Sequence, residues 1–236
     1  VKENSNGKTG VVYVRTTGFN QQGEAILSYV RWVMVHKGDP SAPAPTPVIP
    51  ELPAFVAPQD LPVPAPAWSG TYDFELAGSP FAFEDYQIGE CIDHVDGMTV
   101  EEAEHQVATR LYQNTAKVHF DAVAQAQSRH GKRLIYGGVV ISIARALAFN
   151  GLANAAEILA INAGRHINPL FAGDTIYAWS EVLDKALLGH GHGGLRLRLI
   201  ATKNVSAYDF QGPDSPDAIL EFDYWAAIPL RSSFVS

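Results

Sequence analysis

The 236-residue chain has one cysteine, Cys91, which rules out an intrachain disulfide and a cysteine-based zinc cluster. Charged residues make up only 18% of it, and they are unbalanced: 25 acidic against 17 basic, for a net charge of −8. A long-range field of that sign repels phosphates, so nucleic acid and anionic membranes are not expected partners, although a local basic pocket is still allowed. No apolar run is long enough to span a bilayer. The most apolar stretch, residues 137–164, is interrupted by Arg145, Asn150, Asn154 and Glu157. No charged-then-apolar leader is visible from Val1 onward. Hydrophobic residues, at 47%, are enough for a packed core. The expectation is a globular, cytoplasmic protein with no metal site.

Proline is scarce except in one place. Ten of the fifteen prolines lie between Pro40 and Pro66. Proline fixes φ and removes a backbone donor, so residues 39–67 read as an extended, semi-rigid connector. Before the connector, residues 1–38 carry a hairpin signal: two alternating, β-branched runs flank Gln21-Gln22-Gly23. This hairpin recurs near the other end. Glu24-Ala25-Ile26-Leu27 matches Asp217-Ala218-Ile219-Leu220, and Trp32 matches Trp225, at a constant offset of 193 residues. A lone hairpin is marginal in water, so residues 1–38 need further sheet. The repeat predicts on the order of 100 additional N-terminal residues completing a first copy.

Residues 68–236 read as a complete second copy. Thr99 and Glu102 have capping-box spacing, predicting a helix from there to about Leu111. A short helix over Val118–Ser128 follows. The stretch from Gly137 through FNGLANA is apolar enough for a buried helix. Four strand candidates come next: AAEILAINAGRHINP, TIYAWSEVLDK, GGLRLRLIATK and DAILEFDYWAAI. An α+β fold accounts for the pattern, with an antiparallel sheet wrapped around one buried helix. His190 and His192, in GHGHGG, read as part of a flexible hairpin loop rather than a metal site.

Three segments carry a family resemblance. Residues 165–175, RHINPLFAGDT, are similar to the R-F-x-x-P-V-x-x-G-D-T stretch of MaoC-like dehydratases and (R)-specific enoyl-CoA hydratases. Tyr136-Gly137-Gly138 stands where that family has H-G-M, and LYQNTAKVHFD where it has G-D-x-N-P-x-H-x-D. Longer phrases resemble the mesaconyl-CoA hydratase family in particular, among them DHVDGMTVEEAEHQVATRLYQNTAKVHF, FAGDTIYAWSEVL and GKTGVVYV, and the likeness runs from about Gly7 to Leu230. It implies a double hotdog, with the first hotdog incomplete in these residues, and self-association into a homo-oligomer. It also implies an acyl-CoA substrate and a hydro-lyase reaction, the reversible hydration of mesaconyl-CoA to β-methylmalyl-CoA. No metal or redox cofactor is implied, coenzyme A being part of the substrate. An acyl-CoA thioesterase and a non-catalytic acyl-CoA-binding hotdog module are the alternative readings.

Hydration of an enoyl thioester needs a base for the attacking water and donors for the enolate oxygen. His119 is the base candidate, and the backbone N–H groups around Gly137 and Gly138 are the donor candidates. The motif's acidic residue is replaced by Asn114, which can position water but cannot take its proton. Asn114 is therefore assigned to positioning, with Asp121 or the substrate's own carboxylate as the candidate helper of His119. Tyr136 is expected to line the substrate site. Arg110, Arg145 and Arg165 are candidates for the substrate carboxylate, and Lys132 and Arg133 for coenzyme A phosphates. The plain alternatives are a Gly137-Gly138 pair that only eases packing and an Arg165 that pairs with Asp174.

Overall fold

A computed structural model describes residues 1–63 and 72–231. These fall into two compact units, Val1–Pro53 and a second beginning at Ala54. Residues 64–67 of the expected connector lie outside the described residues.

The first unit is a three-stranded antiparallel sheet in the order β1 (Lys2–Glu3), β2 (Thr9–Phe19), β3 (Ala25–His36). The predicted hairpin is present, and its turn is set by chemistry. Asn20 Oδ1 accepts the N–H groups of Gln22 and Glu24 at 3.0 and 2.9 Å, and Gly23 takes φ +81°. Ile26, Leu27, Trp32 and Met34 of β3 are exposed.

In the second unit the helices are α1 (Phe74–Ala77), α2 (Glu102–Leu111), α3 (Lys117–Phe120), α4 (Ala122–Ala126), α5 (Gly137–Leu147) and α6 (Phe149–Leu152). The strands are β4 (Cys91–Asp93), β5 (Met98–Thr99), β6 (Glu157–His166), β7 (Thr175–Leu187), β8 (His192–Lys203) and β9 (Ala218–Pro229). They pair antiparallel in the order β4-β7-β8-β9-β6, with β5 also on β7. All four strand candidates are strands. Helix α5 buries Val139, Val140, Ile143, Ala144 and Leu147, one face at helical spacing, in a common core with Leu195, Leu197 and Leu199 of β8 and Leu220, Phe222 and Tyr224 of β9. Those sheet residues alternate along their strands, so one face of the sheet covers the helix.

The other face carries a strap. Trp225 Nε1 donates to Val56 O at 2.9 Å, and Val56 N donates to Asn162 Oδ1 at 2.9 Å. Asn162 Nδ2 in turn donates to Asp223 Oδ1, which is also held by Arg196. Leu61 packs with Leu159, Trp225 and Ala227. Residues 55–61 of the proline-rich segment are therefore fixed to the sheet, with a 3-10 turn at Pro58–Asp60. The repeat pair shows what such cover does: Trp225 is 0% exposed and Trp32 is 62% exposed.

Three local expectations are corrected. Thr99 does not cap α2; it lies in β5 with its hydroxyl 2.7 Å from that of Thr175, and Glu101 is the N-cap. The expected helix over Val118–Ser128 is two helices, because Asp121 turns extended and caps α4 through Ala124 N at 2.9 Å. His192 is buried at the start of β8 rather than in the loop.

The buried helix also ends sooner than expected. Asn150 and Gly151 (φ +99°) break it, and the break is tied to the residue that follows β4: Asn150 Nδ2 donates to His94 O at 3.0 Å, and His94 Nδ1 donates to Asn150 O at 2.8 Å. The other ring nitrogen of His94 accepts from Ser180 Oγ at 2.8 Å. His94 is fully buried, and desolvation pushes its pKa from 6.5 down to about 4. Because the folded-state value is depressed, neutral His94 stabilises the fold above pH 6.5, and that contribution fades as pH falls towards 4. Roughly 3 kcal/mol of pH-dependent stability is expected from this residue. Denaturant titrations of wild type and His94→Gln across that range measure it. Parallel pH curves for the two proteins would remove His94 as the source.

Candidate active site

The residues that bear chemistry gather at the N-terminus of α5. Helix α2 is anchored there by its buried face, His105 and Thr109. His105 Nε2 accepts the backbone N–H of Tyr136, the N-cap of α5, at 2.9 Å. Arg133 reinforces the joint by binding Glu102 and Gln106 of α2 and Phe120 O of α3. Arg133 is thus engaged within the fold, and Lys132 lies 4.1 Å over the ring of Phe171.

His119, on α3, donates Nδ1–H to Leu134 O at 3.0 Å. That bond selects the tautomer and leaves the Nε2 lone pair free to accept a proton. Burial lowers its pKa below the usual histidine value, so the ring is neutral at neutral pH. Its ring is 5.5 Å from that of Tyr136, centroid to centroid.

The first turn of α5 offers two donors. Val139 and Val140 both donate to Tyr136 O, whereas the N–H groups of Gly137 and Gly138 meet no acceptor among the described residues. These are the orphan donors of a helix start, with the positive end of the helix dipole behind them. Both glycines lie against rings. A Cβ on Gly137 would lie 2.4 Å from His166 Nε2, and one on Gly138 would lie 2.7 Å from Tyr136 Cε1. The packing role and the donor role therefore coexist at the same residues.

Asn114 and Arg110 line a neighbouring open groove of about 530 Å³ with Gln106, Thr109, Gln113, Thr115 and Phe120. Asn114 closes its own turn, its Oδ1 accepting Ala116 N at 2.8 Å, and its Nδ2 finds no acceptor among the described residues. Asp121 is occupied as the cap of α4. Of the three arginine candidates, only Arg110 has a side chain with no ion pair or hydrogen bond among the described residues. Arg145 donates to Tyr224 Oη at 2.9 Å and to Ala155 O at 3.3 Å. Arg165 pairs with Glu221 at 2.9 Å, not with Asp174, on the sheet face away from α5.

The structure adds two residues that the sequence reading passed over, His166 and His105. His166 is the last residue of β6 and pairs with buried Leu220, so strand alternation turns it towards α5 and turns Arg165 the other way. Burial, and then the neighbouring His119, lower its pKa. The sequence signal was available: His166 occupies the Phe position of the R-F-x-x-P stretch.

A family profile described as mesaconyl-CoA hydratase matches residues 1–196. A protein of Cereibacter sphaeroides called mesaconyl-CoA hydratase is 59% identical over 234 residues, which is 97% of this chain and 67% of that protein. The chain belongs to the mesaconyl-CoA hydratase family. Another member, from Chloroflexus aurantiacus and called beta-methylmalyl-CoA dehydratase, is 53% identical over 98% of this chain and 68% of its own length. A crystal structure from the same organism, described as a putative MaoC domain protein dehydratase, superposes with a TM-score of 0.92 at 53% identity, covering 98% of this chain and 68% of that one. For the fold alone, a Mycobacterium tuberculosis protein described as a double hotdog matches at TM-score 0.62 and 23% identity, over 92% of this chain and 62% of that one. The hotdog expectation is met: the second unit is one antiparallel sheet curled around α5.

Proposed function

We infer that this protein is a hydro-lyase that reversibly adds water to mesaconyl-CoA to give β-methylmalyl-CoA. The observation that carries the reading is His119, held by Leu134 O with Nε2 free, beside two unengaged helix-start amides. In hydration, His119 Nε2 takes a proton from water as its oxygen bonds to the β-carbon. The double-bond electrons move to the thioester oxygen, where the N–H groups of Gly137 and Gly138 stabilise the enolate. The proton held by His119 then goes to the α-carbon, which completes the addition and restores the neutral ring. Asn114, through Nδ2, is suited to hold water or substrate, and Tyr136 forms the wall between His119 and Gly138. Arg110 is the arginine left available for an anionic group of the substrate, its carboxylate or a coenzyme A phosphate.

Three wider points belong to the same reading. The apolar face of β3, with Trp32 and Met34 exposed, suits cover by further sheet of a first hotdog repeat. A homo-oligomer is proposed on the family likeness. A cytoplasmic location is proposed on the single cysteine, and among the described residues no helix is long and apolar enough to cross a membrane.

The test supplies mesaconyl-CoA to the intact gene product and follows the enoyl-thioester absorbance together with the product mass. Loss of absorbance with a mass gain of one water and no free thiol is expected. Release of free thiol would move the assignment to a thioesterase, and binding without conversion to an acyl-CoA-binding module.

A further inference from the structure

His166 is the last residue of β6, and its pairing with buried Leu220 turns it towards the start of α5. Its ring carries two nitrogens. The structure puts one of them, Nε2, at the first turn of α5: a Cβ built on Gly137 would lie 2.4 Å from Nε2, 2.8 Å from Cε1 and 3.0 Å from Cδ2. Filling space beside a glycine does not require a nitrogen. His166 is exposed, so a ligand can reach the ring, and neither nitrogen is engaged by another group among the described residues. The two free amides of α5 lie at the same turn.

We propose that His166 is a third donor to the thioester oxygen, its neutral imidazole presenting Nε2–H beside the amides of Gly137 and Gly138. This rests on the hydratase reading above. No proton is transferred to or from His166: the double-bond electrons end on the oxygen, the water proton travels through His119 to the α-carbon, and His166 stays neutral throughout. Although His166 is partly open to solvent, the protein packed around its ring, and then the nearby His119, disfavour the imidazolium form. A neutral imidazole held at a helix N-terminus is an effective electrophile towards a carbonyl. The substrate chemistry gives a reason for the extra donor. Mesaconyl-CoA already carries a carboxylate, so its enolate gathers a second negative charge a few bonds away, and another donor offsets part of that repulsion.

His166→Phe is the direct test, because it keeps an aromatic ring and removes both nitrogens. With mesaconyl-CoA, kcat is expected to fall about 100-fold, with KM within about threefold of wild type, an unchanged melting midpoint and an unmoved acid limb of the pH profile. His166→Gln, which can present an amide N–H, is expected to recover about tenfold of that loss. His166→Phe within about threefold of wild-type kcat would reduce the ring to a space-filler and overturn the proposal. A displaced pH limb would also overturn it, by making His166 a proton-transfer group. Wild-type protein inert towards mesaconyl-CoA would instead remove the hydratase reading, and this inference with it.

Discussion

Replacing His119 by alanine or asparagine is expected to lower kcat for mesaconyl-CoA hydration by about 10²–10⁴-fold, the range for loss of a general base. The two substitutions separate chemistry from structure. Alanine removes both the free Nε2 and the bond from Nδ1 to Leu134 O, which ties α3 to the segment entering α5. Asparagine can keep a donor near the position of Nδ1, but it has no group that accepts a proton at neutral pH. Equal losses in both variants, with near-native melting for asparagine, would locate the defect in proton transfer. Near-normal turnover in His119→Asn would end the base assignment. The pH dependence has a definite sign. The base role proposed for His119 requires the neutral ring, and burial holds its pKa below 6.5. Hydration should therefore hold its plateau through neutrality and decline only as pH falls through that depressed value.

Gly137→Ala is expected to lower kcat/KM by about 10²-fold while leaving the fold as stable as before, or more so. In an ordinary helix position alanine is favoured over glycine by up to about 1 kcal/mol. Gly137 has no left-handed φ to preserve, so the backbone accepts a side chain. The new methyl group, however, would overlap the imidazole of His166 at 2.4 Å from Nε2, and the exposed ring can swing away. A displacement of about 1 Å in a catalytic group is enough for a loss of that size. Thermal melting and steady-state kinetics on one preparation check both halves. Full activity would mean that neither the approach to α5 nor the place of His166 matters to turnover.

Much of the fold was legible along the chain. Alternation gave the strands, and the apolar helical run gave the buried helix, because burial on one side repeats at the period of the element. The repeat of Trp32 and Trp225 was also visible, although their different burial was not, since cover comes from residues distant in sequence. Boundaries were less legible. The end of the buried helix depends on a reciprocal pair between Asn150 and His94, 56 residues apart, which no local window contains. The fate of residues 55–61 was hidden for the same reason: proline content predicts an extended chain, and partners distant in sequence, among them Trp225, Asn162 and Arg196, make it a strap.

The site divides along the same line. The sequence by itself determined that His119, Asn114 and the Tyr136-Gly137-Gly138 run occupy the positions of a hydratase motif with its acidic residue replaced. Tertiary structure decided what surrounds each of them. It set the tautomer of His119 through Leu134 and engaged Arg145 and Arg165, while the Arg110 side chain meets no partner among the described residues. It also brought His166 from the end of β6 to the start of α5. The physical reason is that residue type fixes what a group can donate or accept, whereas tautomer, pairing and approach depend on neighbours supplied by other segments, and the antiparallel pairing of β6 with β9 selects which of Arg165 and His166 faces the helix.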